Sequence, residues 1–167
     1  SLGEIQKVLQ NLLRERVPIN DFVSILETLA DYAPNTKDIE LLTEYVRTSL
    51  SRSIVLPYLD ENKGLNVITI HPKLEQYISE NIQKSFQGSF PAIEPNIHTR
   101  ILENIHKQME RLSFQQVNSV ILTSPKIRFP FKRMIELAFP NIAVLSLNEI
   151  PNSVEIKTVG MVDVDDH

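Results

Sequence analysis

The sequence predicts an α+β fold, in which a helical domain with a β-hairpin is followed by a small α/β domain. Apolar residues recur with helical spacing through residues 1–54, and short β-branched runs alternate with helical patterns beyond residue 95. Between them, the segment 85–95 has one glycine, two prolines and no periodic stripe, which is typical of a linker. The predicted domains are therefore residues 1–84 and 96–167, joined by the linker 85–95.

Three amphipathic helices open the chain. Their apolar stripes are Ile5, Val8, Leu9, Leu12 and Leu13; Phe22, Ile25, Leu26, Leu29 and Ala33; and Ile39, Leu42, Val46 and Leu50. Pro18 and Asp21 separate the first two helices, and Asp38 is placed to cap the third. Short connections allow the three stripes to be buried together.

The pattern then changes to that of a β-hairpin and a fourth helix. The apolar run 54–56 and the alternating Leu65, Val67 and Thr69 flank the polar loop 60–64, in which we expect Gly64 to take a positive φ angle. Pro72 suits the first position of the following helix. The buried face of that helix is predicted to contain Leu74, Tyr77, Ile78 and Ile82.

The second domain has the pattern of a βαβ layer. A long amphipathic helix begins near Ile97, and strands are predicted at 117–122 and 142–147 with a helix between them that Ser124 is placed to cap. The connection between these strands is expected to be right-handed. Residues 154–158 alternate as a third strand, which is expected to lie beside the central parallel pair.

The composition excludes several classes of function. The 167 residues are 42% hydrophobic, and 17 basic against 21 acidic residues give a net charge of -4, so the chain lacks a positive field for nucleic acid. The sequence contains no cysteine, which excludes thiolate nucleophiles and cysteine-based zinc sites. It also has no apolar run of the roughly 20 residues that a membrane-spanning helix needs.

The sequence gives little evidence for a catalytic or metal site. Glu27 and Asp31 are four residues apart on one helix, a spacing that is more typical of a solvated face than of a catalytic pair. No two of the four histidines, His71, His98, His106 and His167, share a helix face at ligand spacing. The acidic tail 163–167 lacks the pattern of a calcium loop, and phosphate-loop motifs are absent. We therefore predict no catalytic, metal or cofactor residues.

One patch has the composition of a binding surface. Arg128, Phe129, Phe131, Lys132 and Arg133 place two aromatic rings among three positive charges at the start of a helix. Protein interfaces favour arginine and aromatic anchors of this kind. The helical period also places Phe131 in the core, and a basic helix start is common on ordinary surfaces, so both interpretations remain open.

A spaced set of residues in the stretch 17–54 has a known counterpart. The set comprises Val17, Pro18, Ile19, Asp21, Ile25–Asp31, Lys37, Asp38, Leu41–Arg47, Leu50, Arg52 and Ile54. It resembles the FlhA/InvA (FHIPEP) family, the export-gate proteins of flagellar and virulence type III secretion. A shorter match is Val144–Ile150, where Leu147 stands at a position that family members often fill with an aromatic residue.

The resemblance implies the C-terminal cytoplasmic part of such a gate, on the cytoplasmic side of the bacterial inner membrane. It implies a homo-oligomeric ring in the full-length parent, whose membrane contact is made by an upstream region. It also implies partners among export chaperone–substrate complexes and other export-apparatus proteins, and no enzymatic reaction. The family's main chaperone-docking dimple lies in upstream subdomains, so none of its residues can be assigned here.

The alternative function is a small-ligand-binding or enzymatic α/β module, because the strand ends of such a layer are frequent ligand sites. A ligand bound at the carboxyl ends of the strands 117–122 and 142–147 would favour this alternative. The gating hypothesis instead predicts that the second domain moves about the linker 85–95.

Overall fold

The computed structural model describes residues 1–165 and divides the chain into two compact units. The helical unit consists of Ser1–Pro57 together with the short segment Asn148–Pro151. The sheet unit consists of Tyr58–Leu147 and the chain from Asn152 onward. The α+β fold class is confirmed, but this division falls at Pro57 and not within the predicted linker.

The helical unit contains four α-helices: α1 (Leu2–Arg14), α2 (Phe22–Tyr32), α3 (Ile39–Ser49) and α4 (Ser51–Val55). The predicted capping residues are found at their positions. The Asp21 carboxylate accepts the Ser24 backbone N–H at 3.2 Å, and that of Asp38 accepts the Glu40 N–H at 3.1 Å. These bonds satisfy donors that the first helical turn cannot pair.

The apolar stripes of α1, α2 and α3 supply the buried side chains Val8, Leu12, Ile25, Leu29, Leu42 and Val46.

A buried arginine holds the segment Asn148–Pro151 in the helical unit. The Arg47 guanidinium, near the end of α3, donates through Nε to Glu149 Oε2 at 2.5 Å and through Nη2 to Oε1 at 3.3 Å. Its Nη1 also lies 3.8 Å from Glu15 Oε1. The side chains of Arg47 and Glu149 are only 3% and 1% exposed. A planar guanidinium fits a carboxylate with two parallel bonds, so this pair fixes the orientation of the segment as well as its position.

The sheet unit is built on four parallel strands. They are β1 (Gly64–Ile70), β4 (Val120–Thr123), β5 (Val144–Ser146) and β6 (Glu155–Val162), in the spatial order β5-β4-β1-β6. The chain also forms β2 (Ile82–Ser85) and β3 (Gly88–Pro91), an antiparallel hairpin. The helices are α5 (Pro72–Glu80), α6 (Pro95–Phe114) and α7 (Pro125–Ile135). The predicted parallel pair thus corresponds to β4 and β5.

The predicted β-hairpin around the loop 60–64 is reduced to a single antiparallel bridge between Leu59 and Leu65. Residues 54–56, its expected first strand, fall at the end of α4 and the start of a short 3₁₀ turn, Leu56–Tyr58. The expected second strand is β1, which pairs in parallel with both β4 and β6. Its central residues Val67 and Ile68 are fully buried because each face of this strand is covered. The last strand, β6, pairs with β1. It does not lie beside β4 or β5, the predicted parallel pair.

The predicted linker is also an ordered element. The strand β3 lies within residues 85–95 and pairs with β2, and its first residue, Gly88, follows the turn with φ 114°. Ile82, expected on the face of the fourth helix, instead begins β2. Within 85–95, residues 92–94 lie outside both this hairpin and α6, and the motion about the linker stays a prediction.

The loop before β1 is organised by one carboxylate. Asp60 Oδ1 accepts the backbone N–H groups of Gly64 and Asn62, each at 2.8 Å, and Lys157 Nζ lies 3.3 Å from Oδ2. The hydrogen bond from Gly64, aided by those from Asn62 and Lys157, holds the pKa of Asp60 below its ordinary value. The positive φ angle expected at Gly64 occurs at Lys63 instead, at 61°.

We predict that Arg47→Met destabilises the chain by about 3–5 kcal/mol, because it leaves a buried carboxylate without its cation. Denaturant unfolding followed by circular dichroism measures the loss. Arg52→Met, which removes an exposed arginine from α4, is the matched control and should change stability by less than about 0.5 kcal/mol. Equal stabilities for the two variants would contradict a structural role for the buried pair.

We predict that the stabilising effect of Asp60 depends on pH. Because its pKa is lowered in the folded state, the contribution is complete above the ordinary carboxyl pKa of about 4 and is lost as pH falls through the lower folded value. Asp60→Asn should therefore be less stable than the parent at pH 7, and the difference between the two melting temperatures should shrink as pH falls below the ordinary carboxyl pKa. Glu61→Gln is the control at an exposed neighbour. A difference that does not vary with pH would refute the assignment.

Candidate functional site

The predicted basic and aromatic patch lies on α7, but most of it faces the interior. Arg128 and Phe131 are completely buried, and Lys132 is 6% exposed. Phe129 and Arg133 are half-buried. Phe131 belongs to the apolar core of the sheet unit, as its helical spacing indicates. A partner cannot contact side chains without exposed surface, so a docking role for this patch is left to Phe129 and Arg133.

The two buried cations of α7 secure the chain around β5. Arg128 Nη1 donates to the carbonyl oxygen of Val144 at 2.9 Å. Lys132 Nζ donates to the carbonyl oxygens of Ile142 at 2.8 Å and Pro140 at 3.4 Å. Backbone carbonyls that the sheet does not pair are expensive to bury, and charged donors satisfy them strongly. Sequence spacing alone does not distinguish such cations from exposed ones.

Arg133 connects α7 to the hairpin. Its Nη1 donates to the carbonyl oxygen of Gln87, in the turn between β2 and β3, at 2.7 Å. The other guanidinium N–H groups have no partner within residues 1–165. Because a guanidinium carries five N–H donors, most of the hydrogen-bonding capacity of Arg133 is available to another molecule.

Beside Arg133 lies a groove of about 340 Å³, the hairpin groove. It is lined by Phe90, Pro91, Ile93, Pro95, His98, Arg133 and Met134. His98 Nε2 is buried and has no hydrogen-bond partner among the described residues. Phe86, at the adjacent turn, is 98% exposed. The groove thus combines apolar walls with two polar groups whose hydrogen bonds are incomplete.

This arrangement is better suited to binding a peptide segment than to catalysing a reaction. An acidic side chain could accept from the available donors of Arg133, while apolar side chains cover Phe90 and Met134. The sequence analysis missed the hairpin because it interpreted residues 85–95 as a linker, and it considered His98 only as a metal ligand. The signal that could have identified the hairpin is Gly88 at the end of a short turn, with Ile82 and Phe90 on the two arms.

The remaining candidates from the sequence are the histidines, Ser124 and the acidic tail. Among residues 1–165, no group of three or more histidine, aspartate or glutamate side chains is placed to hold a metal ion. Ser124 occupies the N-cap position of α7, but its side chain makes no capping bond; its backbone N–H donates to Glu75 Oε1 at 3.0 Å. In the acidic tail, Asp166 and His167 lie outside the described residues. No α-helix of residues 1–165 has the length and apolar character to cross a bilayer.

Comparison with known proteins identifies relatives over most of the chain. The model of the FHIPEP family matches residues 1–155. The flagellar biosynthesis protein FlhA of Bacillus subtilis (strain 168) is 40% identical over 164 residues, which are 98% of this chain and 24% of that protein. The chain therefore spans about a quarter of the length of this curated relative.

Solved structures extend the similarity to the fold. The cryo-EM structure of nonameric EPEC SctV-C aligns with a TM-score of 0.88 at 36% identity, covering 97% of this chain and 48% of that one. The structure of the Chlamydia pneumoniae CdsV and CdsO protein complex aligns with a TM-score of 0.85 at 29% identity, covering 97% and 48%. The architecture of both units is thus shared with these proteins.

Proposed function

This chain belongs to the FHIPEP family, and from that membership we propose that it is part of the cytoplasmic region of a type III protein export gate. In this proposal it contributes to ring assembly and to the docking and gating of chaperone–substrate complexes, and the parent lies in the bacterial inner membrane. The observation that carries the proposal is the alignment of 97% of the chain with a nonameric relative at 36% identity.

The proposed ring contacts would be made in the full-length parent. Two structures that align with this chain are described as nonameric, those of SctV-C and of the EscV cytosolic domain. At 36% identity the backbone is expected to be retained, so surfaces that face neighbouring subunits in those relatives have counterparts here. No catalytic step is part of this function.

The proposed docking surface is the hairpin groove together with its exposed rim residue Phe86. A relative of this fold has been solved in complex with another protein, CdsO. We propose an export-apparatus protein as the occupant here, presenting an acidic side chain beside apolar ones. Support comes from the available donors of Arg133, the unpaired Nε2 of His98 and the apolar walls around them.

We predict that Arg133→Gln weakens binding of the export-apparatus partner by about tenfold or more, because it removes the cation of the hairpin groove. Lys126→Gln is the matched control, since it removes an exposed positive charge from the same helix outside the groove. Titration calorimetry with the CdsO counterpart and with export chaperone–substrate complexes from the same bacterium measures both variants.

The titration should use this chain and a longer form that includes the upstream cytoplasmic subdomains. Binding to both forms, weakened only by Arg133→Gln, is the expected result for the groove partner. Equal binding by the Arg133→Gln and Lys126→Gln variants would show that the hairpin groove is not the docking surface. Binding by neither form would contradict the docking function itself.

A further inference from the structure

The strand order of the sheet unit creates a topological switch point. From β1 the chain proceeds outward to β4 and then to β5, whereas β6 returns to the opposite side of β1. All four strands are parallel, so the carboxyl ends of β1 and β6 lie together, with Ile70 paired to Val162. In open parallel sheets, ligands bind in the crevice outside the carboxyl ends of the strands at such a point.

A crevice of about 300 Å³ is present at this position. His71 and Asp163, the residues directly after β1 and β6, both line it. Leu74, Tyr77 and Ile97 add apolar wall, and Leu74 is only 4% exposed. A volume of this size holds a small molecule or a single residue of a peptide.

The crevice contains one cation that the protein does not use. Lys73 lines it, and its ammonium group makes no ion pair or hydrogen bond within residues 1–165. His71 Nδ1 accepts the backbone N–H of Lys73 at 3.1 Å, which fixes the start of α5 at this wall. The exposed ammonium group of Lys73 is therefore a donor that this wall offers to a ligand.

The carboxylates of the opposite wall are engaged within the fold. Asp163 Oδ1 accepts the backbone N–H of Val164 at 2.7 Å, and Asn104 Oδ1 accepts that of Asp163 at 3.2 Å. Arg100 donates to the carbonyl oxygen of Val164, and its Nη2 lies 3.6 Å from Asp165 Oδ1. These negative charges repel a multiply charged anion such as phosphate. The ammonium group of Lys73 can still pair with a ligand that carries a single negative charge.

We propose that the switch-point crevice binds an apolar carboxylate, with the carboxylate at Lys73 and an aliphatic group of about leucine size against Leu74, Tyr77 and Ile97. Two sources carry this chemistry: a free small acid and the carboxyl terminus of a polypeptide. The inference rests on the topology and chemistry of the crevice and is independent of the proposed export function.

The experiment uses the 167-residue chain labelled with ¹⁵N and titrated with N-acetyl-L-leucine. Saturable shifts of the His71, Lys73 and Val164 amides at millimolar ligand are expected. Lys73→Gln should weaken this binding about tenfold or more, a loss typical of a charged hydrogen bond. Lys107→Gln, which removes an exposed lysine elsewhere on α6, should leave it unchanged.

The neutral N-acetyl-L-leucinamide tests the charge, and equal binding of the amide and the acid would overturn the proposal. So would the absence of shifts at these amides up to about 10 mM acid, which corresponds to negligible affinity. A peptide with a free C-terminal leucine distinguishes the two sources. Tighter binding of the peptide assigns the crevice to a chain terminus, whereas equal binding assigns it to a free acid.

Discussion

The buried guanidinium of Arg47 is the constraint on which the division of this chain depends. Its paired bonds to Glu149, with Glu15 nearby, place residues 148–151 in the helical unit although both flanking segments belong to the sheet unit. Burying these charges has a large desolvation cost, which only close pairing offsets. Each unit is therefore built from discontinuous segments, and the chain passes between them after residues 57, 147 and 151.

Local structure was largely predictable from the sequence, whereas the long-range pairing was not. The helices around Ile25, Val46 and Ile78 follow from their apolar spacing, and the caps at Asp21 and Asp38 from short polar side chains at helix starts. The place of β1 in the sheet could not be derived in this way. Its alternating apolar residues suit an antiparallel arm or a central parallel strand equally well, and its partners β4 and β6 are more than fifty residues away in sequence.

The candidate site shows the same limit. A basic and aromatic run predicted a surface, yet Arg128 and Lys132 are used to satisfy backbone carbonyls, a role that depends on where the chain after α7 returns. Arg133 also donates to a backbone carbonyl, that of Gln87, but it differs from them in being half-buried and in keeping donors available to another molecule. The family resemblance was detected from residues 17–54, and the match of the FHIPEP family model to residues 1–155 supports it. Family membership and the alignment with nonameric SctV-C carry the proposed function.

The most direct test of this account is hydrogen exchange by mass spectrometry on Glu149→Gln and the parent chain. The account predicts faster exchange in the Glu149→Gln chain for peptides from α1, α3 and residues 148–151, with protection of β1, β4 and β6 unchanged. Faster exchange confined to the sheet strands, with α1 and α3 unaffected, would show that residues 148–151 are stabilised by the sheet unit and would contradict the account.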